Sequence, residues 1–164
     1  TEVGDLLPGL TQAFREAFRA TEAVVTRFQQ DQMIRHPARE DFRLAVAFVD
    51  QELAGFGYGY TGRAGQWWTD RMRAAVPAAI YDAWFEGHFE VAELAVRPRY
   101  QRQGIGAALH DALLEGLPHE RALLTCRRDS RAARRLYLRK GWRRLADVDD
   151  EVTLMGLLLP VARD

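Results

Sequence analysis

The segment of this chain best suited to chemistry is a glycine-containing loop between a buried strand and a helix. It runs from Glu93 to Leu109 and reads E-L-A-V-R-P-R-Y-Q-R-Q-G-I-G-A-A-L. The first N–H groups of a helix have no partner within the helix, and they point outward at the positive end of its dipole. Because Gly104 and Gly106 lack a Cβ, an anion can approach the loop amides without a clash. The spacing therefore predicts an anion site suited to a pyrophosphate.

Two other nucleotide-binding loops and a bare turn are alternatives for this segment. The phosphate loop of NTPases requires Gly-Lys-Ser/Thr, whereas Gly106 is followed by Ala107 and Ala108. The dinucleotide-binding fingerprint requires a third glycine at the position that Leu109 occupies. Both of these loops are excluded. For an isolated G-x-G, a tight strand-to-helix turn that binds nothing remains an alternative.

The strand before the loop carries two carboxylates that could accept a proton. Glu90 and Glu93 lie on opposite faces, because side chains alternate along a strand. A carboxylate on a buried strand is costly unless it is paired, which favours a role for at least one of them. An ion pair with an arginine is the alternative for each. His88 is a further candidate base, although we expect it to be a surface histidine.

The hydrophobic pattern places the loop within a mixed α/β domain. Periods of three to four residues predict helices, and alternation or short buried runs predict strands. The predicted helices cover about 6–18, 20–33, 69–85 with an interruption at Pro77, 105–115 and 131–140, and the strands cover 44–49, 53–60, 89–96, 122–126, 143–148 and 152–159. This order indicates a single domain over residues 1–164 with a central sheet.

Composition excludes several classes of protein. Lys+Arg and Asp+Glu number 23 each, so we expect no partner among nucleic acids or membranes. Cys126 is the only cysteine, which excludes an internal disulfide and a cysteine-based zinc site, and no metal is predicted. It reads as a buried strand residue. The chain begins at Thr1 rather than at methionine, and no signal peptide is visible, so a cytoplasmic location is the default expectation.

Two motifs resemble those of the GNAT superfamily of N-acetyltransferases. The family loop pattern Gln/Arg-x-x-Gly-x-Gly/Ala is matched from Gln101 to Gly106, and a Val-x-Pro precedes it at Val96. The second signature, Asn-x-x-Ala-x-x-Leu-Tyr followed by Gly-Phe, is matched by Ser130, Ala133, Leu136, Tyr137, Gly141 and Trp142. The resemblance covers roughly residues 41–159. Ser130 departs from the usual asparagine, and the family's first strand is not evident before the helices.

The resemblance implies an α/β (α+β) fold with a mixed central sheet, a splayed strand pair and flanking helices. It also implies acetyl-coenzyme A (acetyl-CoA) as the acyl donor and coenzyme A as a product. The implied cofactor-binding residues are Leu94, Ala95, Val96, Gln101, Arg102, Gln103, Gly104, Ile105, Gly106, Ala107 and Ser130. In this arrangement the pyrophosphate lies on the amides of the loop, and the pantetheine arm pairs with the strand backbone.

The implied reaction is direct attack of a primary amine on the thioester in a ternary complex. Tyr137 stands at the family's general-acid position, and Glu93, slightly favoured over Glu90, is the candidate base. Some relatives carry a carboxylate on the next strand, but the matching residue here is Thr125, which cannot act as a base. The acceptor is a small-molecule amine or a peptide, and a homodimer stays open. The alternatives are a non-catalytic acyl-CoA-binding or regulatory module, and a structural protein whose loop binds nothing.

Three further features lack an assigned role. Arg127, Arg128, Arg131, Arg134 and Arg135 form a basic cluster. We predict a solvated face there, with contact to the 3′-phosphate of coenzyme A as the alternative. We expect the acceptor pocket to involve the 55–60 strand, the aromatic interval 67–85 and the first helices. Glycines at 55, 57 and 59 share one strand face, which indicates a close approach to that backbone.

Overall fold

A computed structural model describes residues 2–160. The helices are α1 Val3–Phe18, α2 Glu22–Arg27, α3 Met33–Arg35, α4 Trp67–Ala75, α5 Ala78–Trp84, α6 Ile105–Leu114 and α7 Arg131–Arg139. The strands are β1 Arg43–Val49, β2 Glu52–Thr61, β3 Phe89–Val96, β4 Arg121–Arg127, β5 Arg143–Asp147 and β6 Val152–Leu158. None of the helices within residues 2–160 combines the length and the apolar composition that a membrane span requires.

The strands are hydrogen-bonded in the order β1-β2-β3-β4-β6-β5, which makes one mixed sheet. β1 and β2 are antiparallel, β3 and β4 are parallel, and β6 is antiparallel to both β4 and β5. Over the described part of the chain, the parallel register of β3 and β4 spans two positions, Phe89↔Ala122 and Glu90↔Leu123. The predicted α/β fold with a mixed central sheet is confirmed, and such a short register is what a splayed strand pair requires.

The chain divides into two compact units. Within residues 2–160, the first unit combines the chain up to Tyr60 with Ala92–Leu113, and the second combines Thr61–Val91 with the chain from Leu114 to Pro160. The N-terminal strand that the family resemblance left in doubt does not occur within residues 2–160, because α1 begins at Val3 and β1 only at Arg43.

An aromatic stack between the first helices and β2 forms the core of the first unit. Leu10 and Phe14 lie one turn apart on α1, and both are buried. The ring of Phe14 stacks on Phe28 with centroids 4.2 Å apart, and Phe28 contacts Phe56 of β2 at 5.8 Å. The periodic apolar residues of α1 therefore cover one face of the hairpin, as the sequence pattern predicts.

The second helical stretch is less regular than its sequence predicts. A π-helical turn, Phe28–Gln32, separates α2 from α3, and a 3₁₀ turn, His36–Ala38, follows. The α-helix ends at Arg35, two residues before Pro37. Proline is tolerated in the first turn of a helix, so the chain continues through Pro37 in the 3₁₀ turn.

The β1–β2 hairpin is closed by a two-residue turn. Asp50 and Gln51 have φ of 49° and 66°, and Val49 pairs with Glu52 across the turn. Two consecutive residues with positive φ are the geometry of a type I′ turn, whose twist matches that of the strands. This turn fixes the pairing of Val49 and Phe48, and an irregularity between Ala47 and Phe48 then shifts the register by one residue.

The glycines of β2 are explained by close packing on their side of the strand. A Cβ built on Gly55 would lie 2.7 Å from the carbonyl oxygen of Ala95 and 3.2 Å from Leu109 of α6. A Cβ on Gly57 would lie 2.9 Å from the side chain of Leu94 on β3, and 3.6 Å, an ordinary contact distance, from Leu113 of the same helix. Because Gly55 and Gly57 have no side chain, β3 and α6 can approach the backbone of β2. This confirms the sequence interpretation for these two positions.

The second unit has its own core, between α4, α5 and the face of β4 and β6. Its buried members are Met72, Val76, Trp84, Phe85, Leu123 and Leu154. The predicted interruption at Pro77 is confirmed, because α4 ends at Ala75 and α5 begins at Ala78. The carbonyl oxygen of Pro77 accepts hydrogen bonds from the amides of Ile80 and Tyr81, which starts α5.

Substitution of Gly55 tests whether the close packing of β2 matters for stability. Gly55→Ala places a Cβ against a backbone oxygen that has no rotamer to move away, so we expect a loss of about 1–3 kcal/mol in the free energy of unfolding. Gly4→Ala is the matched control, because its Cβ meets no atom within 4 Å in α1. That change should be neutral or stabilising, by about 0.4–1 kcal/mol. Equal stabilities of the two variants in urea denaturation would contradict the packing argument.

Candidate active site

The loop of the first unit begins with a short rigid lead-in. β3 ends at Val96, and the 3₁₀ turn Pro98–Tyr100 follows. Pro98 stands at the first position of that turn, where its missing N–H costs nothing. The amide of Tyr100 donates to the carbonyl oxygen of Arg97 over 2.9 Å, and the amide of Arg97 donates to Ala54 on β2 over 2.9 Å. The chain therefore leaves the sheet in a fixed direction.

Two residues of the loop have the left-handed backbone conformation. Arg102 has φ of 63° and Gly104 has φ of 81°. Glycine adopts this conformation without a steric cost, whereas arginine does so only where its surroundings enforce it. Gln101 Nε2 donates to the carbonyl oxygen of Val96 over 2.9 Å, and Gln103 Nε2 donates to that of Arg99 over 3.4 Å. Both glutamines therefore tie the loop back to its lead-in.

The first turn of α6 presents its amides as the sequence predicts. The first backbone hydrogen bond of the helix runs from Ala108 N to the carbonyl oxygen of Gly104 over 3.0 Å. The amides of Ile105, Gly106 and Ala107 precede that bond, so they are available to an anion at the positive end of the helix dipole. Alternating left- and right-handed residues before a helix form the concave amide cradle known from other phosphate-binding loops.

The geometry of the loop fits the pyrophosphate of coenzyme A. A Cβ built on Gly104 would meet no atom within 4 Å, so the space above this backbone is open. Arg102 is exposed and can add its charge to that of the amides. The residues of β3 assigned to the pantetheine arm, Leu94 to Val96, lie in the same unit as the loop. The carbonyl oxygen of Val96 already accepts one hydrogen bond, from Gln101.

The two candidate bases differ in exposure. Glu90 is 4 % exposed, whereas Glu93 is only partly buried. β3 passes from one unit to the other between them, so Glu93 lies with the loop in the first unit and Glu90 lies in the second. Proton exchange with solvent is therefore open to Glu93 in this structure, and Glu90 would need a relay.

His88 is fully buried, which shows that the expectation of a surface histidine is wrong. Its Nδ1 lies 2.9 Å from the carbonyl oxygen of Phe85, and the rings of Phe85 and Trp68 pack around it at 5.0 and 6.2 Å. Burial, with smaller contributions from His119 and Arg63, lowers the pKa of His88 to about 4. A fully buried imidazole with a lowered pKa is a weak base that cannot exchange its proton directly with solvent.

Tyr137 lies on α7 in the second unit and is 7 % exposed. Its ring contacts that of Trp142 at 5.8 Å, and its carbonyl oxygen accepts from the amide of Trp142 over 3.0 Å. The mild change from phenylalanine to Trp142 is therefore accommodated. Ser130 stands at the N-cap position of α7, but its side chain makes no capping hydrogen bond. Its backbone carbonyl accepts from the amide of Arg134 instead.

The arginine cluster lies at the surface of the second unit, and all five members are exposed as predicted. Arg127 pairs with Asp129, and Arg128 pairs with Asp147 over 2.5 Å. Cys126, on the neighbouring part of β4, is buried, and burial raises the pKa of its thiol. A buried thiol with a raised pKa is a poor nucleophile, in agreement with its interpretation as a strand residue.

The structure corrects part of the expected acceptor surface. Tyr58 and Tyr60 on β2 are at most 1 % exposed, because the first helices cover them. The 55–60 strand therefore presents no side chain to an acceptor. In the aromatic interval, by contrast, Trp67 is 71 % exposed, and the guanidinium of Arg71 lies over its ring at 5.5 Å.

Sequence reasoning missed the charged network that supports the loop. Arg97, inside the Val-x-Pro motif, is buried and binds the carboxylates of Glu16 and Glu52. Glu52 also binds Arg99 and the hydroxyl of Tyr100. The one available signal was an arginine directly after a buried strand, where its charge requires a partner.

Comparison with known proteins defines the class. The family model described as "Acetyltransferase (GNAT) family" matches residues 7–142. A GCN5-like protein acetyltransferase of Mycobacterium tuberculosis is 36% identical over 107 residues, which are 60% of this chain and 52% of that protein. The chain thus spans about half the length of this curated relative.

Solved structures agree with the fold. The PaiA N-acetyltransferase of Thermoplasma acidophilum, in complex with coenzyme A, has a TM-score of 0.61 and 16% identity over 96% of this chain and 95% of that one. The ribosomal-protein-alanine N-acetyltransferase of Brucella melitensis has a TM-score of 0.67 and 16% identity over 97% of both chains. These similarities concern the fold. The chain belongs to the GNAT family of acetyltransferases, which use acetyl-CoA.

Substitution of Gly104, compared with a control glycine, tests whether the loop binds coenzyme A and distinguishes a loss of binding from the effect of backbone strain. In Gly104→Ala the left-handed conformation becomes strained and a Cβ enters the open space of the amide cradle. We expect the affinity for coenzyme A to fall about tenfold or more, the equivalent of ~1.4 kcal/mol. The measurement is calorimetric titration with coenzyme A.

Gly116→Ala is the matched control for this prediction. Gly116, just beyond α6, has φ of 67°, and a Cβ there also meets no atom within 4 Å. Both variants should lose similar stability, because both strain a left-handed residue. Only Gly104→Ala should lose coenzyme A. Wild-type affinity in folded Gly104→Ala would remove the loop from the site.

Proposed function

We propose that this chain transfers the acetyl group of acetyl-CoA to a primary amine by direct attack in a ternary complex. The observation that carries the proposal is the loop before α6. Arg102 and Gly104 are left-handed there, and the amides of Ile105 to Ala107 precede the first helical hydrogen bond. The family match supports the acetyl donor, and the primary amine as acceptor comes from the sequence resemblance.

The donor contributes a thioester carbonyl that an amine can attack. The residues assigned to hold it are the loop amides of 102–107 and the β3 backbone from Leu94 to Val96. Ser130, in place of the family's asparagine, keeps a hydroxyl that makes no capping bond and is therefore available for contact. These contacts would fix the thioester relative to the catalytic side chains, and such positioning contributes to rate by itself.

The acceptor must lose a proton before it attacks. A lysine amine has a pKa of about 10.4 and an α-amino group one of about 7.7–8.0, so both are mainly protonated at neutral pH. Glu93 is the proposed base, because it is partly exposed and lies in the unit that carries the loop. Glu90 is the second candidate, acting through water, since it is almost completely buried.

The departing coenzyme A thiolate requires a proton or an equivalent hydrogen bond. Tyr137 is the proposed general acid, since it matches the family position and is the buried tyrosine of α7. A phenol has a pKa of about 10, close enough to that of a thiol for transfer in the transition state. The Trp142 contact holds the ring of Tyr137 in place.

A peptide or protein amine is the acceptor to test first. The curated relative is named a protein acetyltransferase, and one structural neighbour is named for the alanine of a ribosomal protein. The exposed Trp67 with Arg71 in the second unit gives an aromatic surface on which an apolar acceptor side chain could pack. A small amine with an apolar part is the second class.

A thiol-release assay with acetyl-CoA tests the function against peptides, amino acids, polyamines and aminoglycosides. Acceptor-dependent release that Gly104→Ala lowers at acetyl-CoA concentrations below KM would support the proposal. Tight coenzyme A binding without release by any acceptor would indicate the alternative, a non-catalytic acyl-CoA-binding or regulatory module. Absence of coenzyme A binding would contradict both.

Substitution of Tyr137 tests the general acid. Tyr137→Phe keeps the ring against Trp142 and removes the hydroxyl. We expect kcat to fall about 10²–10⁴-fold, the range for a lost general acid, with coenzyme A affinity unchanged. The reason is that the proton is needed chiefly in the transition state. A wild-type kcat under conditions where chemistry limits the rate would remove Tyr137 from the mechanism.

Substitution of the two carboxylates tests the base. Glu93→Gln keeps the shape of the side chain and removes its basicity, so kcat/KM should fall about 10²–10⁴-fold. The acidic limb of its pH profile should flatten. The acceptor must have an amine that is mostly protonated at the assay pH, because a neutral amine needs no base. Glu90→Gln is the parallel variant, and an acceptor already neutral at the assay pH is the control. If both variants keep the wild-type profile, deprotonation occurs in solvent.

A further inference from the structure

We propose that Glu52 is a positioning residue for the coenzyme loop, holding the lead-in from Arg97 to Tyr100 in the conformation that binds coenzyme A. The inference rests on the proposed function, because it concerns the same loop. Glu52 lies at the start of β2, far from the loop in sequence, and no motif of the family includes it.

One carboxylate receives three donors from this lead-in. Arg97 Nη1 donates to Glu52 Oε1 over 2.5 Å, and the hydroxyl of Tyr100 donates to Oε2 over 2.5 Å. Arg99 Nη2 donates to the same Oε2. The Tyr100 hydrogen bond is the main reason why the pKa of Glu52 is lowered; burial opposes it, and the hydrogen bond of Arg97 adds to the lowering. The carboxylate is therefore ionised at neutral pH and holds all three donors together.

Arg97 is the buried centre of the network, and Glu16 is its second partner. Its side chain is 10% exposed, and a guanidinium at that depth must be paired. Arg97 Nε and Nη2 donate to the two oxygens of Glu16 over 2.7 and 3.0 Å. This two-point hydrogen bond is the main reason why the pKa of Glu16 is lowered to about 2.

The two carboxylates have different tasks. Glu16, on α1, accepts hydrogen bonds from Arg97 and Gln12, so it fixes the guanidinium. Glu52 in addition holds the two residues directly before Gln101. Tyr100 is two residues from the left-handed Arg102, a conformation that arginine adopts only under external constraint. Glu52 supplies that constraint on the side where the loop begins.

The test compares Glu52→Gln with Glu16→Gln. Each change removes one carboxylate charge from Arg97 and keeps the shape of the side chain, so both should lower the thermal midpoint. Only Glu52→Gln should loosen the loop. If about a tenth of the molecules then keep the competent loop, the affinity for coenzyme A falls about tenfold. Glu16→Gln should stay within about twofold of wild type, since its contact ends at Arg97.

Two further variants sharpen the comparison. Asp31→Asn removes an exposed carboxylate of the same unit that pairs with Arg35 over 2.6 Å, and its coenzyme A affinity should equal that of wild type. Tyr100→Phe removes only the hydroxyl that Glu52 accepts from, and its affinity should fall less than that of Glu52→Gln. The double variant Glu52→Gln/Tyr100→Phe should bind as weakly as Glu52→Gln alone, because both changes remove the same contact.

Kinetics give a second readout that a purely structural role would not move. With any acceptor that supports turnover, Glu52→Gln should raise KM for acetyl-CoA about tenfold, in line with the competent-fraction argument. The values of kcat and of KM for the acceptor should stay as in wild type. A parallel fall in kcat and a rise in both KM values would indicate general loosening of the protein and overturn the positioning role.

The outcomes distinguish this inference from the proposed function. If wild-type protein binds no coenzyme A, the function fails. If wild type binds it, Gly104→Ala does not, and Glu52→Gln keeps wild-type affinity, only the positioning role is overturned. Equal losses of affinity in Glu16→Gln and Glu52→Gln would also overturn it. If Glu52→Gln does not fold, Tyr100→Phe carries the test, and wild-type affinity in that variant overturns the role.

Discussion

The first turn of α6 imposes the constraint on which the first unit depends. Its leading amides must stay without helical partners if they are to receive an anion, and the loop before them must hold Arg102 in an unfavourable left-handed conformation. Neither condition favours folding, because unpaired amides and strained residues both cost free energy. The structure offsets these costs in the surroundings of the loop, where Glu52 and the buried Arg97 tie down its beginning and α6 packs tightly on β2.

The packing of α6 depends on small residues in β2 as much as on apolar residues in the helix. Gly55 and Gly57 give Leu109 and Leu113 a bare backbone to lie against, and the opposite side of β2 is filled by Phe56 and the first helices. β2 thus packs against the aromatic core on one side and against α6 on the other. A shift of β2 would move Glu52, the first residue of that strand, and so would displace the start of the loop that Glu52 holds.

Local features were predictable from the sequence, and contacts between distant segments were not. The Asp50 turn, the break at Pro77 and the amides of α6 all follow from residues within a few positions of one another. The network around Arg97 joins residues 45 and 81 positions apart, and no periodicity or motif indicates such pairs. His88 was misjudged for the same reason. A histidine beside a predicted loop looks exposed until Trp68 and Phe85 are folded over it.

The same distinction separates binding from catalysis in this site. An anion cradle is built from consecutive backbone groups, so a six-residue pattern is enough to predict it. Acid–base chemistry depends instead on how deeply each individual side chain is buried. The alternation of side chains along a strand does not predict that burial. The structure divides the two carboxylates of β3 by burial, since Glu90 is almost enclosed and Glu93 meets solvent. A base must return its proton to water in each cycle. Exposure therefore favours Glu93 as the proposed base, and proximity in sequence to the backbone proposed to bind coenzyme A favours the same residue.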